Sequence, residues 1–464
     1  MQTRKVVQCS LKAASGLLLL AGLTACGGGA SAPGSASSPA SSPAATATPL
    51  GMTLSTDAAS ATKATLSWQG PIKTGDKYQV YRNGELDKSA GVDENGAYDT
   101  GLAPGTQYCY QVTAVNSRGA GMASSNQSCI TTVPLAGWNI SMLKTAPPLS
   151  LALDAQGRDR LSFCGPGGVV YQALQAVGTW NTVQVAPGAS CFAAPLAVGG
   201  DGSDHIIYVD ANSNSLEYAT DVSGSWSVSA IPGADGAEFY TLAVDSGNHV
   251  HVAYLLFTGQ TPNCYEIVYA SNASGSWQST VVASEQAYPA IAVDAHGAAH
   301  ISYLGQVQVN GEYPVHYLSD ATGNWVDDVV AESSDSKSLV TLAVDPAGHA
   351  HLVYKSHTSL EYANDVSGSW VTAEVDSFDA AGPEDDSYSA YDVSIDLDTA
   401  GGPHLSYEDT DGNLKYASLA GSAWQTSYVD TEGTQNQIRM DAAGHAHIVY
   451  GNAENLYSKL TVSP

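Results

Sequence analysis

The chain has 464 residues, with 45 acidic side chains against 17 basic ones and a formal charge of −28. A field of that sign repels nucleic acid, anionic lipid head groups and polyuronates, favours neutral or cationic partners, and keeps an exported protein soluble. Arg4, Lys5 and Lys12 open the chain with positive charge, and Gly16 to Leu23 is an apolar core. This pattern reads as a targeting segment and is set aside from fold reasoning. Residues 1–25 hold three of the cations and no acid, so the chain beyond them carries −31.

Leu23-Thr24-Ala25-Cys26 closes that segment and resembles the lipobox of bacterial lipoproteins. The resemblance implies cleavage before Cys26 and acylation of its thiol and new amine by fatty acids such as palmitate. Gly27 rather than Asp follows the cysteine, which by the same resemblance implies the outer membrane of a bacterial envelope. Residues 26–49 then form a lipidated tether, since from Gly27 to Pro49 only Gly, Ala, Ser, Pro and Thr occur. Such a stretch buries too little apolar surface to order itself. No later run is long and apolar enough to span a bilayer, so the expected membrane contact is through lipid alone.

Residues 50–133 alternate in short strands with turns every 8–12 residues, a sandwich pattern. Leu66-Ser67-Trp68 places an indole in its core, Arg82-Asn83-Gly84 turns the chain after Tyr78-Gln79-Val80-Tyr81, and Tyr108 precedes the alternating run Tyr110, Val112 and Ala114. The segment resembles a fibronectin type III domain, with Tyr108 as its tyrosine corner, and the resemblance implies a spacer. Cys109 and Cys129 fall in strands read as neighbours, and closing a loop of that size is worth roughly 3 kcal/mol. Cys164 and Cys191 are a second expected disulfide, and Cys264 is left as a free thiol.

Residues 137–464 carry a motif that returns seven times: an apolar strand ending in Asp, a tight turn, then a strand with His and Tyr three residues apart. Asp294, Gly297, His300 and Tyr303 show it in full, as do Asp345, Gly348, His351 and Tyr354. A third strand such as Leu360-Glu361-Tyr362-Ala363 follows, and a turn with tryptophan announces a fourth, as at Gly368-Ser369-Trp370. Four strands per unit make a propeller blade. The seventh unit stops short of its tryptophan strand, while Gly137-Trp138-Asn139-Ile140 is an orphan fourth strand at the other end. The expected fold is therefore all-β: a fibronectin type III sandwich followed by a seven-bladed propeller, closed by pairing of its N-terminal and C-terminal strands.

Six histidines (205, 251, 300, 351, 404 and 447) share one repeat position, with Arg160 in the remaining copy. An active site is a single constellation, so a residue in nearly every copy reads as framework. His249, His349 and His445 form His-x-His pairs but lack an evident third metal ligand. The corners such as Asp221-Val222-Ser223-Gly224-Ser225-Trp226 loosely resemble the Asp-box turns of sialidase-like propellers, with spacing off by one residue. Sialidases need three convergent arginines, and Arg158, Arg160 and Arg439 are not so placed. No catalytic residue is assigned.

Function in a repeat ring is sought where the copies differ, in the loops leading from an outer strand to the next inner strand. The candidate ligand residues are Glu238, Phe239, Tyr240, Tyr288, Asp385, Asp386, Tyr388, Tyr391 and Asp392. Carboxylates beside aromatic faces suit sugar hydroxyls and CH faces, or Ca²⁺ with oxygen ligands. The leading expectation is a monomeric, surface-anchored protein without catalysis that binds an extracellular glycan or protein. The alternatives are a polysaccharide lyase or hydrolase on the same scaffold, and a structural partner in an outer-membrane assembly. One internal pairing is also expected. The first-strand position held by Ala152, Ala197, Ala243, Ala292 and Ala343 becomes Asp396 and Arg439 in the last two copies, and these are expected to form an ion pair near the axis.

Overall fold

The computed structural model describes residues 51–463, except 59, 71–76, 91–94, 144–148, 166–168, 177–178, 187–192, 211, 260–264, 285–286, 310, 335–338, 357, 378–392 and 452–457. Every regular element among them is a β-strand, and no helix is long and apolar enough to cross a membrane.

The N-terminal domain has a sheet of Thr53–Ala58, Lys63–Gln69 and Gly96–Thr100, and a second sheet built on Lys77–Arg82 and Gln107–Val115. Alternation along Lys77–Arg82 buries Tyr78 and Val80, and Trp68 meets the Tyr78 ring edge-on at 5.3 Å. The Tyr108 hydroxyl accepts the Ala103 amide at 3.0 Å, which is the tyrosine-corner bond. Cys109 and Cys129 are disulfide-bonded, as expected from their adjacent strands.

The C-terminal domain consists of seven four-stranded antiparallel sheets. Blades 1–6 cover 149–186, 196–235, 237–283, 290–333, 341–377 and 393–430. Blade 7 takes three strands from 434–462 and its fourth from Asn139–Leu143, which pairs with Ser458–Val462. The first strands of successive blades touch one another in order, and that of blade 7 touches that of blade 1, so the ring is closed. Trp138 lies at the head of this shared strand and packs edge-on against Tyr416 of blade 6 at 5.1 Å.

Each seam between blades holds an apolar cluster, from Ala152 and Leu196 at the first to Leu460 and Leu161 at the closing one. Clusters between neighbours bury both faces of the second strands, which explains why these read as near-continuous apolar runs, while the fourth strands stay largely exposed. The register places Ala152, Ala197, Ala243, Ala292, Ala343, Asp396 and Arg439 opposite the repeat His or Arg, so these seven positions are equivalent.

Candidate functional site

The repeat histidines are fastened inside the blades. In blades 2–6, Nδ1 of His205, His251, His300, His351 and His404 lies 2.5–2.7 Å from the hydroxyl of Tyr218, Tyr269, Tyr317, Tyr362 and Tyr416 on the third strand. In blades 3–6 Nε2 faces the carboxylate that caps the preceding turn, 3.3–3.9 Å away. In His251 and His404, Nε2 bonds that carboxylate at 3.5 and 3.3 Å; a carboxylate only accepts, so there Nε2 carries the proton and Nδ1 accepts from the tyrosine. Burial pushes the pKa of His205, His251, His300 and His351 down and keeps them neutral. The same tyrosines meet the tryptophan of the next blade edge-on at 5.0–5.5 Å. His249, His349 and His445 bond the carboxylates of Asp245, Asp345 and Asp441 at 2.8–3.0 Å. Among the described residues no group of three His, Cys, Asp or Glu side chains is arranged to hold a metal ion.

The mouth is the side of the ring where each fourth strand leads to the next first strand. At the seam of blades 3 and 4 it carries exposed aromatic surface. Phe239 is 46% exposed, and its ring meets Tyr288 edge-on at 4.4 Å. Phe257, 44% exposed, lies against Tyr265 at 5.0 Å. Glu238 is exposed beside them; the Tyr265 phenol is pushed up by burial and, second, by the Glu238 charge. Phe239 adopts φ of 47°, a left-handed conformation that a bulky L-residue rarely takes. It does so at a bulge, where two residues, Phe239 and Tyr240, face one across the strand pair. Holding such a residue costs about 1–3 kcal/mol, which the surrounding packing must offset.

Of the sequence candidates, Glu238, Phe239 and Tyr288 meet here. Tyr240 does not join them: its hydroxyl donates to the Ala193 carbonyl at 2.8 Å, and its ring packs into the seam of blades 2 and 3. Asp385, Asp386, Tyr388, Tyr391 and Asp392 lie outside the described residues, as do Cys26, Cys191 and Cys264. Cys164 is itself disulfide-bonded.

The Asp396–Arg439 ion pair is not formed. Asp396 Oδ2 instead accepts the Met440 amide at 2.7 Å, and Arg439 Nη1 donates to the Ile438 carbonyl at 2.7 Å. Each side chain found a backbone partner nearer than the opposite charge. Arg439 acts on Asp396 only through space, lowering a carboxyl that burial raises more strongly.

Two polar latches near the mouth were not anticipated. Asp376, ending blade 5, accepts from Lys415 and from the Tyr407 hydroxyl at 2.7 Å, both on blade 6. Asp430, ending blade 6, accepts from Tyr450 and Lys459 of blade 7, each at 2.7 Å, and Lys459 also pairs with Glu432 at 2.7 Å. The readable signal is a third-strand lysine following the repeat tyrosine in the last two blades only. Both lysines are thereby neutralised, and the exposed charge described at the aromatic mouth is the anionic Glu238.

A fibronectin type III family model matches residues 47–130. No curated protein matches the chain. Among solved structures, the chain is similar to AofleA from Arthrobotrys oligospora at 13% identity and TM-score 0.41, over 65% of this chain and 91% of that one. It is similar to a fucose-specific lectin from Aleuria aurantia at 13% identity and TM-score 0.41, over 63% and 98% of the two chains. An auxiliary nutrient binding protein from Bacteroides thetaiotaomicron aligns at 12% identity and TM-score 0.38, over 89% and 98%. Likeness at this level carries no ligand with it.

Proposed function

We propose that the ring is a binding head for a neutral glycan, carried on the fibronectin type III domain and anchored to the outer membrane through acylated Cys26. The observation that carries this reading is Phe239: an exposed aromatic ring held in a costly backbone conformation beside Tyr288 and Glu238. Sugars present CH faces that pack on aromatic rings and hydroxyls that donate to carboxylates. The surplus of acid over base, with Lys415 and Lys459 already paired, disfavours uronates and other anionic chains.

The test is a glycan array on the purified full chain, followed by calorimetry with the best ligand. Phe239→Gly removes the ring and suits the left-handed backbone, so it is expected to cut affinity about ten-fold or more without loss of stability. Absence of binding by the wild type across neutral glycans sinks the reading, as does turnover of a polysaccharide without separable binding. Anchoring is tested by labelling cells with a palmitate analogue. Cys26→Ser is expected to lose the label and leave the outer-membrane fraction, and retention of both would refute the anchor.

A further inference from the structure

Residues 161–336 take in blades 2–4 and hold 17 acids but no Lys or Arg. A lysine or arginine that neutralises an acid of these blades must come from another blade, as Arg160 does for Asp204. Any other such charge must come from outside the chain. One acid of this stretch stands where two other blades hold an ammonium group. In blades 6 and 7 the second-strand tyrosine pairs with a third-strand lysine, Tyr407 with Lys415 and Tyr450 with Lys459. Each Nζ lies beside its tyrosine ring, 5.6 and 5.8 Å from the centroid. Each phenol donates at 2.7 Å to the carboxylate that holds the lysine. In blade 2 the same pair is Tyr208 and Glu217.

Neither member of the blade 2 pair has what satisfies the others. The register sets Ala186 of blade 1 where blades 5 and 6 end in Asp376 and Asp430, so no carboxylate crosses the seam to Tyr208. Tyr208 packs into the seam of blades 1 and 2 and is 3% exposed, yet its hydroxyl makes no hydrogen bond among the described residues. The oxygen still reaches solvent, unlike the sealed hydroxyl of Tyr254 in blade 3. Burial pushes this phenol up to about 12, and the charges of Glu217 and Asp210 push the same way. Glu217 is half-buried, and its carboxylate also bonds nothing among the described residues. It is raised by burial and then by the charges of Asp210 and Asp235. Polar groups so placed are rare without a partner and need an explanation. Blade 5 repeats the pair as Tyr354 and Glu361, but there Ser359 Oγ donates to Glu361 at 2.6 Å.

We infer that Tyr208 and Glu217 form a binding site for the primary ammonium group of a small amine. The ammonium donates one hydrogen bond to the Glu217 carboxylate and one to the Tyr208 oxygen, while Asp210 and Asp235 add negative charge around it. A metal ion does not fit, since it draws its oxygens to about 2.0–2.6 Å and no three acids among the described residues are so arranged. The site lies in blade 2 and does not rest on the glycan reading.

The test is calorimetry on the full chain at about 0.15 M salt, which screens the diffuse field of the protein. The probes are 1,4-diaminobutane, glucosamine and N-acetylglucosamine, whose amide carries no charge. The two amines are expected to bind saturably. Any binding of N-acetylglucosamine is expected to be indifferent to Glu217→Gln. For the amines, Glu217→Gln is expected to weaken binding about ten-fold or more and Tyr208→Phe about five-fold. Asp328→Asn makes the same charge change at an exposed acid of blade 4 and is expected to weaken binding less than about two-fold. Glu217→Gln and Tyr208→Phe break no hydrogen bond of the protein, so unfolding midpoints at or above the wild type are expected and exclude misfolding. Tighter binding of diaminobutane assigns a free polyamine, and tighter binding of glucosamine an amino sugar. Equal weakening by Glu217→Gln and Asp328→Asn overturns the site in favour of the field alone. Unchanged affinity in both Glu217→Gln and Tyr208→Phe, or no saturable amine binding by the wild type, overturns it as well. The glycan reading stands or falls separately.

Discussion

The seams of blades 2–6 and those flanking blade 1 solve one problem with different chemistry. In blades 2–6 the histidine bonds a tyrosine of its own blade, and that tyrosine packs on the tryptophan of the next. In blades 7 and 1 the tyrosine position holds Leu460 and Gln172, two residues before the partners of His447 and Arg160. There the repeat residue turns to the neighbouring blade instead. His447 Nδ1 reaches Asp159 of blade 1 at 2.6 Å, and Arg160 Nη1 reaches Asp204 of blade 2 at 2.7 Å. His447 has a carboxylate near each ring nitrogen, Asp159 bonded to Nδ1 and Asp441 3.6 Å from Nε2, and both favour the protonated ring. Burial, the largest single influence on it, pushes its pKa down, but the bonds and charges of Asp159 and Asp441 outweigh this and raise it. Loss of the tyrosine is thus matched by an acid in the next blade. A repeat can change its wiring only when two blades change together.

The largest effect is expected from Arg160→Ala, which leaves Asp204, 1% exposed, without its counter-ion. Breaking a buried pair in this way costs about 3–5 kcal/mol in chemical denaturation, and adding Asp204→Ala should recover much of it. If the double variant is no better than the single one, the paired-change account fails. At a regular seam, Tyr317→Phe strips the hydroxyl bonded to His300 Nδ1 and should cost about 1–3 kcal/mol. A cost equal to that of Arg160→Ala would erase the distinction between the two kinds of seam.

Acidity should separate the seams by sign. His447 has a raised pKa, so its contribution is full below 6.5 and is lost as pH rises through the higher folded value. His205, His251, His300 and His351 have lowered values, so theirs is present above 6.5 and lost as pH falls. Unfolding midpoints across this range should fall on both sides, and His447→Gln should flatten only the alkaline side. The smallest change is expected from Arg439→Ala. With no ion pair to break, it removes one hydrogen bond and should cost about 1 kcal/mol, whereas a loss of about 3–5 kcal/mol in the same denaturation assay would restore the pairing with Asp396.

The architecture was legible because each blade repeats the period-two alternation and its own tryptophan, and because the split seventh unit demands closure. Tyr108 and the Cys109–Cys129 pair were readable from their place in alternating strands. The histidines were readable as framework, but their tyrosine partners were not, since cross-strand pairing depends on a register that spacing leaves open. Asp396 and Arg439 misled for a related reason: equivalence round the ring says which positions are neighbours, not which backbone group lies closer still. At the mouth, Glu238, Phe239 and Tyr288 could be nominated by residue type. Nothing in the letters marks Phe239 or Gln435 as left-handed, because that conformation is imposed by the strands around them.

The shared seventh blade also sets an order of events in synthesis. Asn139–Leu143 leaves the ribosome long before its partner, and Thr461 reaches back across 322 positions to donate to the Asn139 carbonyl. Until Ser458–Val462 is made, that early strand has an open edge and the ring has no closing seam. Six blades can form as the chain emerges, but the circle itself is completed only after translation has passed its last strand. A ribosome that stalls anywhere in blade 7 therefore releases an open arc with two bare ends, a form suited to aggregation or proteolysis rather than to binding.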